Sequence, residues 1–224
     1  MSNNPATTTS TAHYLQRAYA LSGTSETETQ TFYDEWAETY DSGLNAGGYA
    51  SPRRAAEAIV RNIHITGGAE KLRILDAGCG TGLVGEYLSR SSLSGKFDLT
   101  GLDLSPGMLA VARQKGMYRM LQTADLNQLL ASDFGVYDVV VCVGVLTRGH
   151  VGPRVLGDFV ALTTPGGLIV ATVLEEVWGS GGYRDEVEKL RSSGAVEVVS
   201  LDRFGILEGE ESGGRMVVLK RIEL

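Results

Sequence analysis

One segment limits the possible folds of this chain more than any other: Leu75-Asp-Ala-Gly-Cys-Gly-Thr-Gly-Leu-Val-Gly85. Gly78, Gly80 and Gly82 fall at every second position, behind the apolar run Leu72–Leu75 and ahead of a helical pattern over Leu83–Leu88. Without a Cβ, the backbone there turns tightly and lets a ligand lie against it. A strand, a glycine turn and a helix in that order open an α/β unit. In open α/β sheets, ligands bind in the crevice at the carboxyl ends of the strands.

The rest of the chain continues the alternation. Phe97–Leu102, Tyr118–Thr123, Val139–Val143, Leu168–Leu174, Val196–Leu201 and Met216–Ile222 read as strands. Pro106–Arg113, Pro153–Leu162 and Arg184–Arg191 read as helices, the first opened by Ser105 as N-cap with Pro106 behind it. The runs Val139–Val143 and Leu168–Leu174 are nearly all apolar, as strands buried on both faces are. This predicts an α/β fold with a doubly wound, mostly parallel, seven-stranded sheet.

Upstream, Tyr14–Thr39 and Ser51–Ile65 carry helical periodicity, with Tyr33, Trp36, Ala37 and Tyr40 on one face. Residues 1–12 are polar, with nothing to bury, and read as a disordered tail. The expectation is one domain over 13–224, with N-terminal helices over 13–70 and the α/β core over 71–224.

Composition narrows the function. The 29 glycines among 224 residues, about 13% against a usual ~7%, have no collagen period and must be turns inside a folded domain. Net charge is −7 and the basic residues are scattered, which argues against a nucleic-acid partner. No apolar run approaches the ~20 residues that span a bilayer, and residues 1–10 lack the features of a secretory signal. The chain reads as cytoplasmic, with no membrane partner. Cys79 and Cys142 make neither a disulfide framework nor a zinc spacing, so no metal is expected.

The glycine loop itself allows two ligands. Gly80-Thr-Gly82-Leu-Val-Gly85 fits the dinucleotide pattern G-x-G-x-x-G, and Asp103 falls 21 residues past Gly82, where a ribose-binding acid belongs. An NAD(P)-dependent oxidoreductase is therefore one reading. Against it, the Asp76 carboxylate would face a pyrophosphate, Gly78 is superfluous, and no Tyr-x-x-x-Lys follows. S-adenosylmethionine is the better ligand for this loop.

Ile74–Gly82 resembles the first motif of class I S-adenosylmethionine-dependent methyltransferases, and Leu99–Leu109 resembles the second. Thr123–Leu126 and Pro165–Leu168 are similar to the later strand-end motifs. Phe32–Asp41 and Val143–Val151 further resemble the methyltransferase-like proteins of the Williams–Beuren region.

The resemblance implies a Rossmann-like fold with S-adenosyl-L-methionine as cofactor. It places Gly78 and Gly80 along the methionine part, with Asp76 facing the ammonium. Asp103 would accept the ribose hydroxyls, Leu104 and Met108 would cover the adenine, and Asp125 would take its amino group. Leu126 would donate from its backbone, and Val143 would floor the site. The aromatic segment becomes a lid, with Tyr33 and Tyr40 reaching the cofactor. Read as residues alone, the alternatives are a turn cap for Asp76, an Asx-turn for Asp103, core for Met108 and the aromatic face, and a solvated strand end for Asp125.

Of three histidines, only His150 follows a strand on the ligand side, which makes it the one candidate general base. A structural histidine bonded to a loop carbonyl explains it as well. Arg148 would contact an anionic substrate or stay solvated. Glu175–Tyr183, with Trp178 and a glycine cluster, is expected to border the acceptor as a mobile loop. The reading is a methyltransferase acting on a small-molecule acceptor; a cofactor-binding protein without transfer is the alternative.

Overall fold

The structure, a computed structural model, describes residue 18 and residues 25–63, 71–128 and 135–222. The expected tail, His13, His64 and most of the segment 13–24 lie outside the described residues.

Helix α1, Glu26–Ala46, begins at a capping box: Glu28 N donates to the Ser25 hydroxyl, and the Glu28 carboxylate accepts from Ser25 N at 2.9 Å. It runs past the expected end at Thr39, because no glycine interrupts it until Gly43 and its last turn stays in register to Gly47. Helix α2 follows over Ser51–Asn62, with Pro52 in its first turn.

The core strands are β1 Leu72–Ala77, β2 Phe97–Asp103, β3 Met120–Thr123, β4 Tyr137–Leu146, β5 Thr163–Leu174, β6 Val196–Gly205 and β7 Gly213–Arg221. Between them lie α3 Leu83–Ser89, α4 Pro106–Gln114, α5 Val155–Leu162, α6 Glu175–Ser180 and α7 Tyr183–Ser192. They form one sheet in the order β3-β2-β1-β4-β5-β7-β6. The pairs from β3 to β5 are parallel, and β7 runs antiparallel to both β5 and β6.

Alternation along the strands sorts the core into two layers. Ile74, Val139, Val141 and Val170 face α2 and α3, packing on Ile59, Val84 and Leu88. Leu75, Val140, Cys142 and Ile169 face α5 and α7, packing on Leu156, Phe159, Val187 and Leu190. Both faces are covered, which is why these strands read as continuous apolar runs. Strand order reverses between β1 and β4, and their carboxyl ends open the crevice at the glycine loop.

Several strands differ in their limits from expectation: β4, β6 and β7 extend beyond the apolar runs, and two of the strand starts have a local cause. β3 starts at Met120, because the Tyr118 ring turns inward against Gly82, Gly85 and Gly101; a Cβ on any of the three would lie 2.9 Å or less from a neighbour. β5 starts at Thr163, with Pro165-Gly166-Gly167 carried as a bulge: Tyr137 pairs with Thr163, and Val139 already pairs with Leu168. Among the described residues, no helix is long and apolar enough to cross a membrane.

Candidate active site

Gly78, Gly80 and Gly82 all take positive φ (77°, 53° and 92°), the left-handed conformation that favours glycine. A Cβ on Gly78 would sit 2.3 Å from Val145 Cγ2, so β1 and β4 approach there only because the side chain is missing. A Cβ on Gly80 would meet nothing within 4 Å: this glycine faces open space.

That space is a cavity of about 230 Å³. Its walls include Gly78, Gly80, Asp103, Leu104, Met108, Asp125, Leu126 and Val143 from the sheet ends, with Tyr33 and Tyr40 from α1 and His150 from the loop after β4. Eleven of the twelve residues singled out in the sequence therefore share one cavity, although they come from six separate stretches of chain.

The twelfth, Asp76, lies behind the loop, outside the cavity lining. It is fully buried, and Tyr118 donates to its Oδ2 at 2.7 Å. Its Oδ1 has no hydrogen-bond partner among the described residues. Burial pushes its carboxyl up to about 7, against the Tyr118 hydrogen bond and with help from the nearby Asp103 charge. Tyr118 escapes a sequence reading, because nothing at its position in a strand-like run signals a partner for an acid 42 residues away.

Asp103 ends β2 half-buried. Its Oδ2 accepts from Gly80 N at 2.7 Å and its Oδ1 from Ser105 N at 2.9 Å. The second bond is the Asx-turn considered from sequence, and it coexists with a place on the cavity wall. Each oxygen keeps a lone pair for a ligand. Desolvation pushes this carboxyl up to about 6, opposed by the Ser105 and Gly80 amides. Asp125 likewise accepts from Asn127 N at 2.9 Å while lining the cavity.

Helix α1 lies across the opening. Phe32 and Trp36 are buried, and Trp36 meets Tyr40 edge-on with ring centroids 4.6 Å apart. Periodicity identified this apolar face; what fixes it in place is polar. Asp34 accepts from Gly107 N at 2.8 Å and from the Ser105 hydroxyl, at the N-terminus of α4. Asp41 accepts from Thr81 of the glycine loop and pairs with Lys115, which also pairs with Glu86.

His150 is held on three sides. Its Nδ1 lies 2.7 Å from Thr147 Oγ1, its Nε2 3.5 Å from the Tyr33 hydroxyl, and its carbonyl accepts from Asn127 Nδ2 at 2.8 Å. Burial lowers its pKa below the usual 6.5, leaving a neutral imidazole at pH 7.

A second cavity, of about 660 Å³, shares Tyr33, Tyr40, Gly144 and His150 with the first. Glu175 and Glu176 line it, whereas Trp178 is buried under the Arg215 guanidinium, 4.9 Å from its ring centroid. The expected mobile loop is instead the packed helices α6 and α7, because Trp178 and Tyr183 supply apolar anchors on either side of the glycines. Arg148 points to Glu176 through both carboxylate oxygens and is not a free anion contact.

A doubly wound sheet with a glycine-rich first turn, an acid ending the second strand and a helix across the crevice defines a Rossmann-like α/β fold. Residues 74–167 match the methyltransferase-domain family. The human methyltransferase-like protein 27 is 37% identical over 142 residues, covering 63% of this chain and 56% of that protein. A ubiquinone biosynthesis O-methyltransferase from Bordetella avium is 28% identical over 114 residues, or 49% of this chain and 46% of that one. Thus the chain spans about half the length of these relatives.

The crystal structure of a TehB-like S-adenosylmethionine-dependent methyltransferase from Corynebacterium glutamicum superposes with a TM-score of 0.61 at 22% identity, over 85% of this chain and 98% of that one. Residues 74–167 thus carry the sequence pattern of a methyltransferase domain, on a fold shared with an S-adenosylmethionine-dependent methyltransferase. The match includes the glycine loop and favours the methyltransferase reading of it over the dinucleotide one.

Proposed function

We propose that the chain transfers a methyl group from S-adenosylmethionine to a small-molecule acceptor. The observation that carries this reading is the pair of adjoining cavities that share His150: one is lined by the glycine loop and three carboxylates, the other by aromatic rings and glutamates.

The residues fit the cofactor. Gly80 leaves open space where any side chain would intrude, and Asp103 offers lone pairs to a ribose diol. The orphaned Oδ1 of Asp76, buried behind the loop and outside the cavity lining, would reach a cationic ammonium only through water. When bound, S-adenosylmethionine supplies an electrophilic methyl on a sulfonium.

The chain's own contribution is then positioning, desolvation and removal of a proton. Leu104, Met108 and Val143 give apolar walls for a flat base. Tyr33 and Tyr40 close the cavity from above and exclude water. Thr147 orients the His150 ring, so that Nε2 takes the acceptor's proton when Nδ1 keeps its own.

Thermal shift with adenosylhomocysteine, adenosylmethionine and NAD(P) tests the cofactor by mass action. Stabilisation by the first two alone is expected; stabilisation by NAD(P) alone refutes the reading. Methyl-labelled cofactor with hydroxyl, amine and thiol acceptors tests transfer. Binding without transfer to any class identifies a cofactor-binding protein instead.

A further inference from the structure

The loop after β4 carries His150 without a hydrogen-bond ladder of its own. Among the described residues, no backbone–backbone hydrogen bond holds 149–151, and Gly149 takes a positive φ of 71°. Side chains from elsewhere hold the loop instead. Tyr183 donates to the Val151 carbonyl, and Asn127 grips the residues on either side of it.

Asn127 uses both ends of its amide. Its Nδ2 donates to the His150 carbonyl at 2.8 Å, and its Oδ1 accepts from Gly152 N at 3.2 Å. The opposite orientation of the amide would satisfy neither bond. The backbone of Asn127 belongs to the short turn Leu126–Gln128. There its own N–H donates to Asp125 Oδ1 at 2.9 Å, and Gln128 N donates to the Asp125 carbonyl at 3.1 Å. Asn127 thus joins two stretches of the cavity wall, the Asp125–Leu126 turn and the His150 loop, across 23 residues of sequence.

A ring whose main chain is clamped needs one further contact to fix its tautomer. Thr147 Oγ1 supplies it, 2.7 Å from Nδ1. With the clamp open, the His150 backbone is free to turn about Gly149 and Gly152, and the Thr147 contact no longer selects one ring nitrogen. A ligand bound at Asp125 orders the turn that carries Asn127, and that order passes to the ring.

We propose that Asn127 is a positioning residue: it ties the His150 loop to the Asp125 turn, so that a ligand filling the first cavity sets the orientation of the imidazole. This rests on the methyltransferase reading for the ligand and adds how the candidate base is made ready by it.

The test is nuclear magnetic resonance on the whole chain with isotope-labelled histidine. The sequence has His13, His64 and His150, and His150→Ala identifies the third ring. Asn127 is exposed, so Asn127→Ala is expected to fold. At pH 8 without ligand, the native ring should carry its proton on Nδ1, whereas in Asn127→Ala the two tautomers should mix. The Gly152 amide should exchange about tenfold or more faster in that variant. Saturating adenosylhomocysteine should move the native Nε2 resonance, and Asn127→Ala should lose most of that movement. Tyr183→Phe removes the other tie of the same loop and leaves the Asp125 turn untouched, so the movement should survive it.

If Asn127→Ala keeps the native tautomer or the full ligand-induced movement, or if Tyr183→Phe abolishes that movement equally, the proposal is overturned. Adenosylhomocysteine affinity is measured first and separately. Failure of the native chain to bind it refutes the methyltransferase reading, and the ligand-free tautomer then decides the role of Asn127 by itself.

Discussion

Replacing Asp76 by Asn tests whether the fold holds this carboxyl as an acid. Its side chain is fully buried, with one oxygen on Tyr118 and the other without a partner among the described residues. Its pKa stands at about 7, against 3.8 for an unperturbed aspartate. The folded chain therefore keeps a proton that the unfolded chain releases between about pH 4 and pH 7, and stability falls as pH rises through that window. About three units at ~1.36 kcal/mol each give ~4 kcal/mol as the upper figure. For a chain of this size that is ~8–16 °C in melting temperature.

Asn cannot ionise, so the gap between the two proteins should grow from about 1 kcal/mol at pH 4.5 to its full size at pH 8, where the variant melts several degrees higher. Asp103, pushed up to about 6 by the same desolvation, titrates in both proteins. The difference between the two curves therefore isolates Asp76. The assay is thermal unfolding from pH 4.5 to 8.5 without cofactor. Parallel curves across that range would refute the reasoning, since Asp76 would then ionise in the folded state as freely as in the unfolded one.

Asp103→Ala removes acceptors for two backbone amides and the proposed ribose contact, so adenosylhomocysteine should bind ~10–100-fold more weakly by titration, while His150→Ala changes it little. The opposite ranking would show the site to be misassigned. Gly78→Ala should cost ~2–4 kcal/mol in denaturant unfolding, because its Cβ meets Val145 at 2.3 Å. Gly80→Ala, with open space around the added methyl, should cost only ~1 kcal/mol but weaken adenosylhomocysteine markedly. Asp34→Ala should speed hydrogen exchange across residues 26–46 by the loss of ~1–3 kcal/mol of local stability, leaving the sheet unchanged.

The sheet was legible because its signals are local: glycines at fixed offsets, an N-cap serine before a proline, and apolar runs of strand length. That the candidate residues on strand ends share one cavity was legible for the same reason, since β1, β2 and β4 deliver their carboxyl ends to one crevice whenever the fold is doubly wound. What was not legible depends on contacts between distant segments. Tyr118 looked like the first residue of a strand, and only the three glycines opposite it show that its ring turns inward to Asp76. The α6–α7 glycines looked like mobility, and the buried Trp178 and Tyr183 around them make a packed turn.

The lid shows why periodicity finds an apolar face and misses its fastening. Tyr33, Trp36 and Tyr40 mark a buried stripe wherever the helix docks, and the stripe does not choose between positions. Asp34 and Asp41 do choose, being seven residues apart on one side of α1. Asp34 reaches Ser105, two residues past Asp103, and Asp41 reaches Thr81, the residue after Gly80. Both fastenings thus grip loops whose backbones also bond to Asp103 or face the cavity. A ligand that orders those loops lowers the cost of seating α1, and a seated α1 orders the loops for the ligand. On the proposed site, a ligand on those loops and a seated α1 would stabilise each other through the acids of α1 and not through its aromatic stripe.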